Sequence, residues 1–251
     1  MESHLSRWFD ALQARHLAEL TWPEVTRALR ALSSAYVQRR AKLAAGAALD
    51  GRGKRAAFAL FYGPLHFAAV WSVLEQLRAA DEVTGRSRAV LDGGCGTGAA
   101  GAAWALATGA SPSVLGIDVH PWAIAEAGWT YRFFGLEGRA RRGDLSTLKP
   151  DAASGLVAAY TLNELEASAR DRVLERAIAG TGELLVIEPI ARGVAPWWDA
   201  AATAVRARGG RADDWKLPLV MPERWRLLDR AAGFRRDHLT ARSLWLPARG
   251  V

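Results

Sequence analysis

Residues Ala89-Val-Leu-Asp92-Gly-Gly94-Cys-Gly96-Thr-Gly98 pass from a short apolar run through an acid into a turn with glycine at every second position. An apolar run of this length reads as a buried strand. The alternating glycines read as the turn from that strand into a helix, where the backbone takes positive φ and a ligand approaches closely. Such a turn is a platform for a nucleotide-like ligand, and the rest of the chain is read outward from it.

Gly96-Thr-Gly98-Ala-Ala-Gly101 also satisfies the G-x-G-x-x-G dinucleotide fingerprint. Asp92 sets the two readings apart. A dinucleotide brings its pyrophosphate to the loop and helix N-terminus, where a carboxylate in the same turn would repel it. S-adenosylmethionine brings an ammonium and a sulfonium and no phosphate, so an acid is welcome there. A second acid, Asp118, closes the next apolar segment, Val114-Leu-Gly-Ile-Asp118. An acid at that strand end suits ribose hydroxyls in either ligand.

On these residues the chain resembles the class I S-adenosylmethionine-dependent methyltransferases, whose first motif is an acid followed by alternating glycines. Arg142-Gly-Asp144-Leu145 resembles the segment after their third strand, and Leu156-Val-Ala-Ala-Tyr160-Thr-Leu-Asn163-Glu164 their fourth strand and its exit. The resemblance implies a Rossmann-like α/β fold with S-adenosylmethionine as cofactor. It assigns Asp92, Gly94, Gly96 and Gly98 to the methionine side, Asp118 to the ribose and Asp144 to the adenine.

Alternating strands and helices from 86 to about 192 predict a mostly parallel sheet with crossovers. Strands are expected at 88–92, 113–118, 139–143, 155–160 and 183–188, with helices between them, including 121–134 and 168–179. The two segments Phe234 to Leu239 and Arg242 to Leu246 resemble the closing antiparallel hairpin of the same fold, and Gly209 to Pro222 reads as a charged irregular stretch. Residues 1–80 read as an N-terminal helical lobe ahead of a methyltransferase domain over 81–251. Thr21-Trp-Pro-Glu24 is a capping box with proline in the first turn, and Val25, Leu29, Leu32, Tyr36 and Leu43 share one helical face after it. Asp50-Gly-Arg-Gly-Lys54 reads as a loop.

A single cysteine, Cys95, excludes an intramolecular disulfide framework and fits a cytoplasmic protein. Cys95 reads either as a small residue suited to a tight turn or as a thiol activated by a helix N-terminus. The uncharged stretch Gly93 to Ile117 is broken by Gly109 and Pro112, too short in its helical part to span a membrane. The first twelve residues lack the apolar core of a secretory signal. No spacing of His, Cys and carboxylates suggests a metal site.

The net charge is +7, and the segment from Arg27 to Arg55 carries eight basic residues against Asp50 alone. Such a cluster is either the footprint of a polyanion, RNA above all, or a solvated helix face. Leu32-Ser-Ser-Ala-Tyr36, Tyr62-Gly-Pro64-Leu-His66, Leu162-Asn163-Glu164-Leu165 and Leu185-Val-Ile-Glu188-Pro189 resemble, more narrowly, the methyltransferase-like family associated with the small ribosomal subunit. Members often carry a cysteine cluster for an iron–sulfur centre, which this chain lacks.

Methyl transfer is an in-line displacement dominated by positioning, so a base is needed only where the acceptor must lose a proton. Candidate catalytic residues are Tyr160, to stack on an acceptor, and Asn163 and Glu164, to orient it; the last two could instead cap the following helix. His66 and His120 are alternative proton handlers. Trp197, Trp198, Trp215 and Trp225 in the tail are either core or part of an acceptor pocket. The expected enzyme acts on RNA of the small subunit through its basic N-terminal surface. The alternatives are a small-molecule methyltransferase whose pocket is closed by the helical lobe and the Trp-rich tail, and a non-catalytic donor-binding assembly factor.

Overall fold

The computed structural model describes residues 1–38, 49–80, 82–83, 87–148, 154–191 and 195–249, without side chains at 34–38. The expectations placed on Arg39, Arg40, Lys42 and Leu43, and on the side chain of Tyr36, lie outside the described residues.

The described residues at the start of the chain form α1 (Glu2–His16), α2 (Trp22–Gln38) and α3 (Arg52–Ala79). At the start of α2, Glu24 reaches back to accept from the Thr21 N–H at 2.8 Å, which is the carboxylate half of a capping box, and also from the Thr21 hydroxyl at 2.7 Å. Val25, Leu29 and Leu32 are fully buried, so the predicted apolar stripe is a packing face. The loop expected at Asp50 to Lys54 is shorter than predicted, since α3 begins at Arg52 after Gly51, which takes φ +85°. Within α3 the Phe58–Tyr62 segment winds as a turn of π-helix, wider than the α turns on either side. α3 is the one described helix long and apolar enough to cross a membrane, but 89% of its apolar window is buried inside the protein, which makes it a core helix.

A seven-stranded sheet follows in the order β3-β2-β1-β4-β5-β7-β6. The strands β1 (Ala89–Gly93), β2 (Ser113–Asp118), β3 (Gly138–Arg142), β4 (Ser154–Ala159) and β5 (Leu184–Glu188) run parallel. The crossover helices are α4 (Ala99–Thr108), α5 (Pro121–Phe133) and α6 (Ala167–Ala179). α7 (Trp198–Ala207) leads to β6 (Arg211–Pro218), and α8 (Glu223–Ala231) to β7 (His238–Leu246). β4 and β5 are buried along their whole length, as strands covered on both faces must be.

The closing hairpin differs from the expectation. Phe234 to Leu239 and Arg242 to Leu246 are not its two arms: one strand, β7, takes in the end of the first and all of the second, and its partner is the charged stretch read as irregular, now β6. β7 inserts antiparallel between β5 and β6, with Glu188 opposite Arg242 and Asp214 opposite the same arginine on the other side. The fold is that of a Rossmann-like class I methyltransferase, a mostly parallel sheet with an antiparallel hairpin at one edge.

One apolar core joins Leu5, Trp8 and Phe9 of α1 and the length of α3 to Trp104 of α4 and to Val90 and Trp245 of the sheet. A second lies under α6 and α7 on the opposite face. The tail tryptophans Trp197, Trp198 and Trp225 are buried packing residues.

Candidate functional site

The strand order reverses between β1 and β4, and in such sheets ligands bind beyond the carboxyl ends of the strands at that reversal. A cavity of 540 Å³ lies there, within the size range of small-molecule sites. Gly94, Cys95, Gly96, Asp118 and Asp144 line its half over β1 to β3. Tyr160, Asn163, Glu164 and Glu188 line its half over β4 and β5, with Phe234 and Arg236 from the loop before β7. Phe58, Tyr62 and His66 of α3 close it from the N-terminal side.

The glycine turn is built for close approach. Gly94, Gly96 and Gly98 take φ of +66°, +51° and +76°. A Cβ on Gly94 would come within 2.3 Å of the Thr161 methyl, so the β1 and β4 exits touch only because the side chain is missing. Gly98 does not meet the cavity as expected. Its missing Cβ would lie 2.9 Å from the Ala127 Cα, so this glycine lets α5 pack against the turn.

Asp92 departs from its expected role for a similar reason. Its side chain is buried behind the turn and does not line the cavity. Its Oδ2 accepts from the Gly101 N–H at 2.9 Å and the Tyr131 hydroxyl at 3.0 Å. A Cβ on Gly101 would stand 2.8 Å from that oxygen, which explains the third glycine of the apparent dinucleotide fingerprint. Burial pushes the Asp92 carboxyl up to about 7, against the pull of its two hydrogen bonds. It ties β1 to α4 and α5, and does not supply a full negative charge to a bound ammonium.

The case against a dinucleotide therefore shifts to Asp118. This carboxylate lines the cavity and already occupies the amide a phosphate would need, accepting from the Gly96 N–H at 3.0 Å while its other oxygen accepts from the His120 N–H at 2.8 Å. Asp144 also lines the cavity and caps the following turn through the Ser146 N–H at 2.8 Å. His120 caps α5 through Nδ1, which accepts from the Trp122 N–H at 3.1 Å. The Cys95 thiol is pushed well up, by burial first and then by Asp92 and Asp118, so it stays protonated, and the reading as a small turn residue holds.

At the β4 exit Tyr160 sits at φ +57°, a costly conformation for a tyrosine that clusters at functional sites. Its ring stacks on His66, with centroids 4.4 Å apart. Burial pushes His66 down to about 3 and, with the charge of Glu188, raises the Tyr160 phenol far above its usual range. Both rings are neutral at physiological pH.

Asn163 is already committed. Its amide nitrogen donates to Glu188 Oε2 at 2.6 Å, and its oxygen accepts from the Trp197 indole at 3.0 Å. It positions Glu188 from its place on the cavity wall. Glu164 does not cap α6, which begins at Ala167. Its side chain opens onto the cavity, and loss of water around it there, followed by the charge of Asp118, pushes it up to about 7. No tryptophan lines the cavity among the described residues, so the tail contributes Phe234, Arg236, Leu239 and Thr240 instead. Phe58 and Arg236 carried no motif, although the spacing of Phe58, Tyr62 and His66 by four would have placed them on one helix face. No metal-binding cluster of His, Cys and carboxylates occurs among the described residues.

Residues 90–181 match the family described as Methyltransferase domain. No curated protein matches the chain. Among solved structures, magnesium protoporphyrin IX methyltransferase from Synechocystis with bound SAH is similar over 86% of this chain and 96% of that one, at 15% identity and a TM-score of 0.48. A tRNA (uracil-54, C5)-methyltransferase from Pyrococcus abyssi in complex with S-adenosyl-L-homocysteine is similar over 71% of this chain and 38% of that one, at 14% identity and 0.45. A SAM-dependent methyltransferase from Aquifex aeolicus is similar over 70% and 89%, at 16% identity and 0.45. The domain match, the fold and the glycine-lined cleft with Asp118 define the class: an S-adenosylmethionine-dependent methyltransferase. S-adenosylmethionine is its cofactor.

Proposed function

We propose that the enzyme methylates a small acceptor held in the half of the cavity over β4 and β5, with the donor over β1 to β3. One observation carries this reading: Phe58, Tyr62 and His66 of α3 line the acceptor half together with Tyr160 and Phe234, giving a partly open aromatic chamber where a nucleic-acid site would present a basic groove.

The glycine cradle fits the donor because backbone alone faces it at Gly94 and Gly96, and Asp118 and Asp144 supply acceptors for its hydroxyls and amine. When bound, S-adenosylmethionine supplies a methyl group whose carbon–sulfur pair returns to sulfur as the acceptor's lone pair takes the carbon, any acceptor proton leaving. The protein's share is enclosure and alignment. His66 and Tyr160 are too weakly basic and too weakly acidic to move that proton, so an acceptor that must lose one arrives ionised or gives it to a carboxylate of the cavity wall such as Glu164, which is raised to about 7.

RNA of the small ribosomal subunit is the second reading, favoured by Arg27, Arg30, Arg52, Lys54 and Arg55 on α2 and α3 and by the narrower family resemblance. Two of these cations also serve the protein itself: Arg52 pairs with Glu19, and Arg55 donates to the Leu49 carbonyl at 2.8 Å. Donor labelled in its methyl group, incubated with the protein and separately with small-subunit RNA and a metabolite extract, tests the choice. Label in the small-molecule fraction supports the chamber reading, and label in RNA replaces it with the second.

A further inference from the structure

Arg236 is the only arginine or lysine lining the cavity among the described residues, and it is held in place from three sides. Its Nη1 donates to Asp229 Oδ1 at 2.5 Å, and its own backbone N–H donates to Asp229 Oδ2 at 2.8 Å. The guanidinium carbon lies 3.7 Å from the centroid of Phe234 and 5.6 Å from that of Phe61. Asp229, on α8, is 2% exposed, and its backbone carbonyl accepts from the Phe234 N–H at 2.9 Å. One buried acid thus organises the whole loop that carries Phe234 and Arg236 into the chamber.

A guanidinium brought into an aromatic cavity is costly unless it is paired, and Asp229 supplies the pairing from behind. The fork carries five N–H donors, of which Nη1 serves Asp229, and its plane is fixed by the ring beneath it. The charge reaches the chamber, since Arg236 draws the phenols of both Tyr62 and Tyr160 downward against their burial. Glu188 sits at the end of β5 and accepts from the Asn163 amide, and Arg236 is the one guanidinium or ammonium on the cavity wall among the described residues.

We infer that the acceptor is a planar carboxylate, its ring enclosed by Tyr62, His66 and Phe234 and its carboxylate held by Arg236. The inference rests on the small-acceptor reading and gives it a chemical class.

The test uses the full chain saturated with S-adenosylhomocysteine and titrated by calorimetry with benzoate and with benzamide, a neutral probe of the same shape. Benzoate should bind about tenfold or more tightly than benzamide, as one charge-assisted hydrogen bond supplies. R236Q should level the two while leaving S-adenosylhomocysteine affinity unchanged. Because R236Q strips buried Asp229 of its counter-ion, the paired variant R236Q with D229N provides the same comparison with the local charge balanced. R236K keeps the charge without the fork and should retain only part of the preference. Equal binding of the two probes, no benzoate binding, or a preference that survives the paired variant would overturn the inference. Failure of S-adenosylhomocysteine itself to bind would instead strike the donor site.

Discussion

Replacing Asp92 with asparagine should stabilise the protein, by an amount that grows with pH. The carboxyl titrates at about 7 in the folded chain against 3.8 in the unfolded one. Folding therefore favours its protonated form: that stabilisation is complete below about pH 3.8 and is lost as pH rises through about 7. The roughly three-unit gap corresponds to about 4 kcal/mol between the two limits, and about 2.5 kcal/mol of it falls between pH 5 and pH 8. Asparagine keeps the needed shape, because both hydrogen bonds, from Gly101 and Tyr131, go to one oxygen that an amide also has. The stability difference between D92N and the parent should then shift in favour of the variant by about 2.5 kcal/mol from pH 5 to pH 8, or roughly 5–10 °C in Tm for a chain of this size. Denaturant unfolding of the cofactor-free protein across that range, followed by tryptophan fluorescence, measures the shift. A pH-independent difference, or one moving toward the parent as pH rises, would mean that Asp92 is ionised in the fold and that its buried role is misread.

Asp118→Ala removes the acceptor for the Gly96 and His120 amides as well as the proposed ribose contact, and should weaken S-adenosylmethionine binding by about 1–3 kcal/mol in calorimetry; tighter binding of NAD than of the methyl donor by the parent would refute the cofactor assignment. Gly94→Ala places a methyl against Thr161 at positive φ and should cost about 2–5 kcal/mol of stability, read as a lowered Tm. An unchanged Tm would show that the turn has room to spare. Glu164 ionises through about 7, so affinity for the cationic donor should rise between pH 6 and pH 8 and the rise should flatten in E164Q; an identical pH profile in the variant would place Glu164 away from the donor.

The strands β1, β2, β4 and β5 were legible because each is a short, largely apolar run bounded by turn residues, and β3, Gly-Arg-Ala-Arg-Arg, was legible only from its place ahead of the Arg142-Gly-Asp144 segment; Asp118 and Asp144 lie where the sequence located them. β6 was not. Arg-Ala-Asp-Asp-Trp-Lys-Leu-Pro is an edge strand, bonded only to β7 and mostly open to solvent, so nothing forces an apolar alternation on it. Asp92 shows a second limit. Sequence places an acid at a strand end but not on which side of the turn its side chain falls, and here it falls toward α4, where Gly101 leaves a gap. Asn163 was visible as a polar residue at the right place, while its engagement depends on Glu188 and Trp197, 25 and 34 residues away. The acceptor wall was the least legible part, since Phe58 from α3 and Arg236 from the α8–β7 loop share one cavity across about 180 residues of chain.

The π turn at Phe58–Tyr62 holds one more residue than an α turn would need. Deleting a single residue there would let α3 close into continuous α-helix with the segments on either side keeping their faces, since a π turn and an α turn each cover about one revolution. Only the side chains within the turn, Phe58 and Tyr62 among them, would be re-spaced along the chamber wall while the rest of the helix kept its packing. A one-codon deletion or insertion at this point is thus a route by which such an enzyme could exchange one acceptor for another without rebuilding its core.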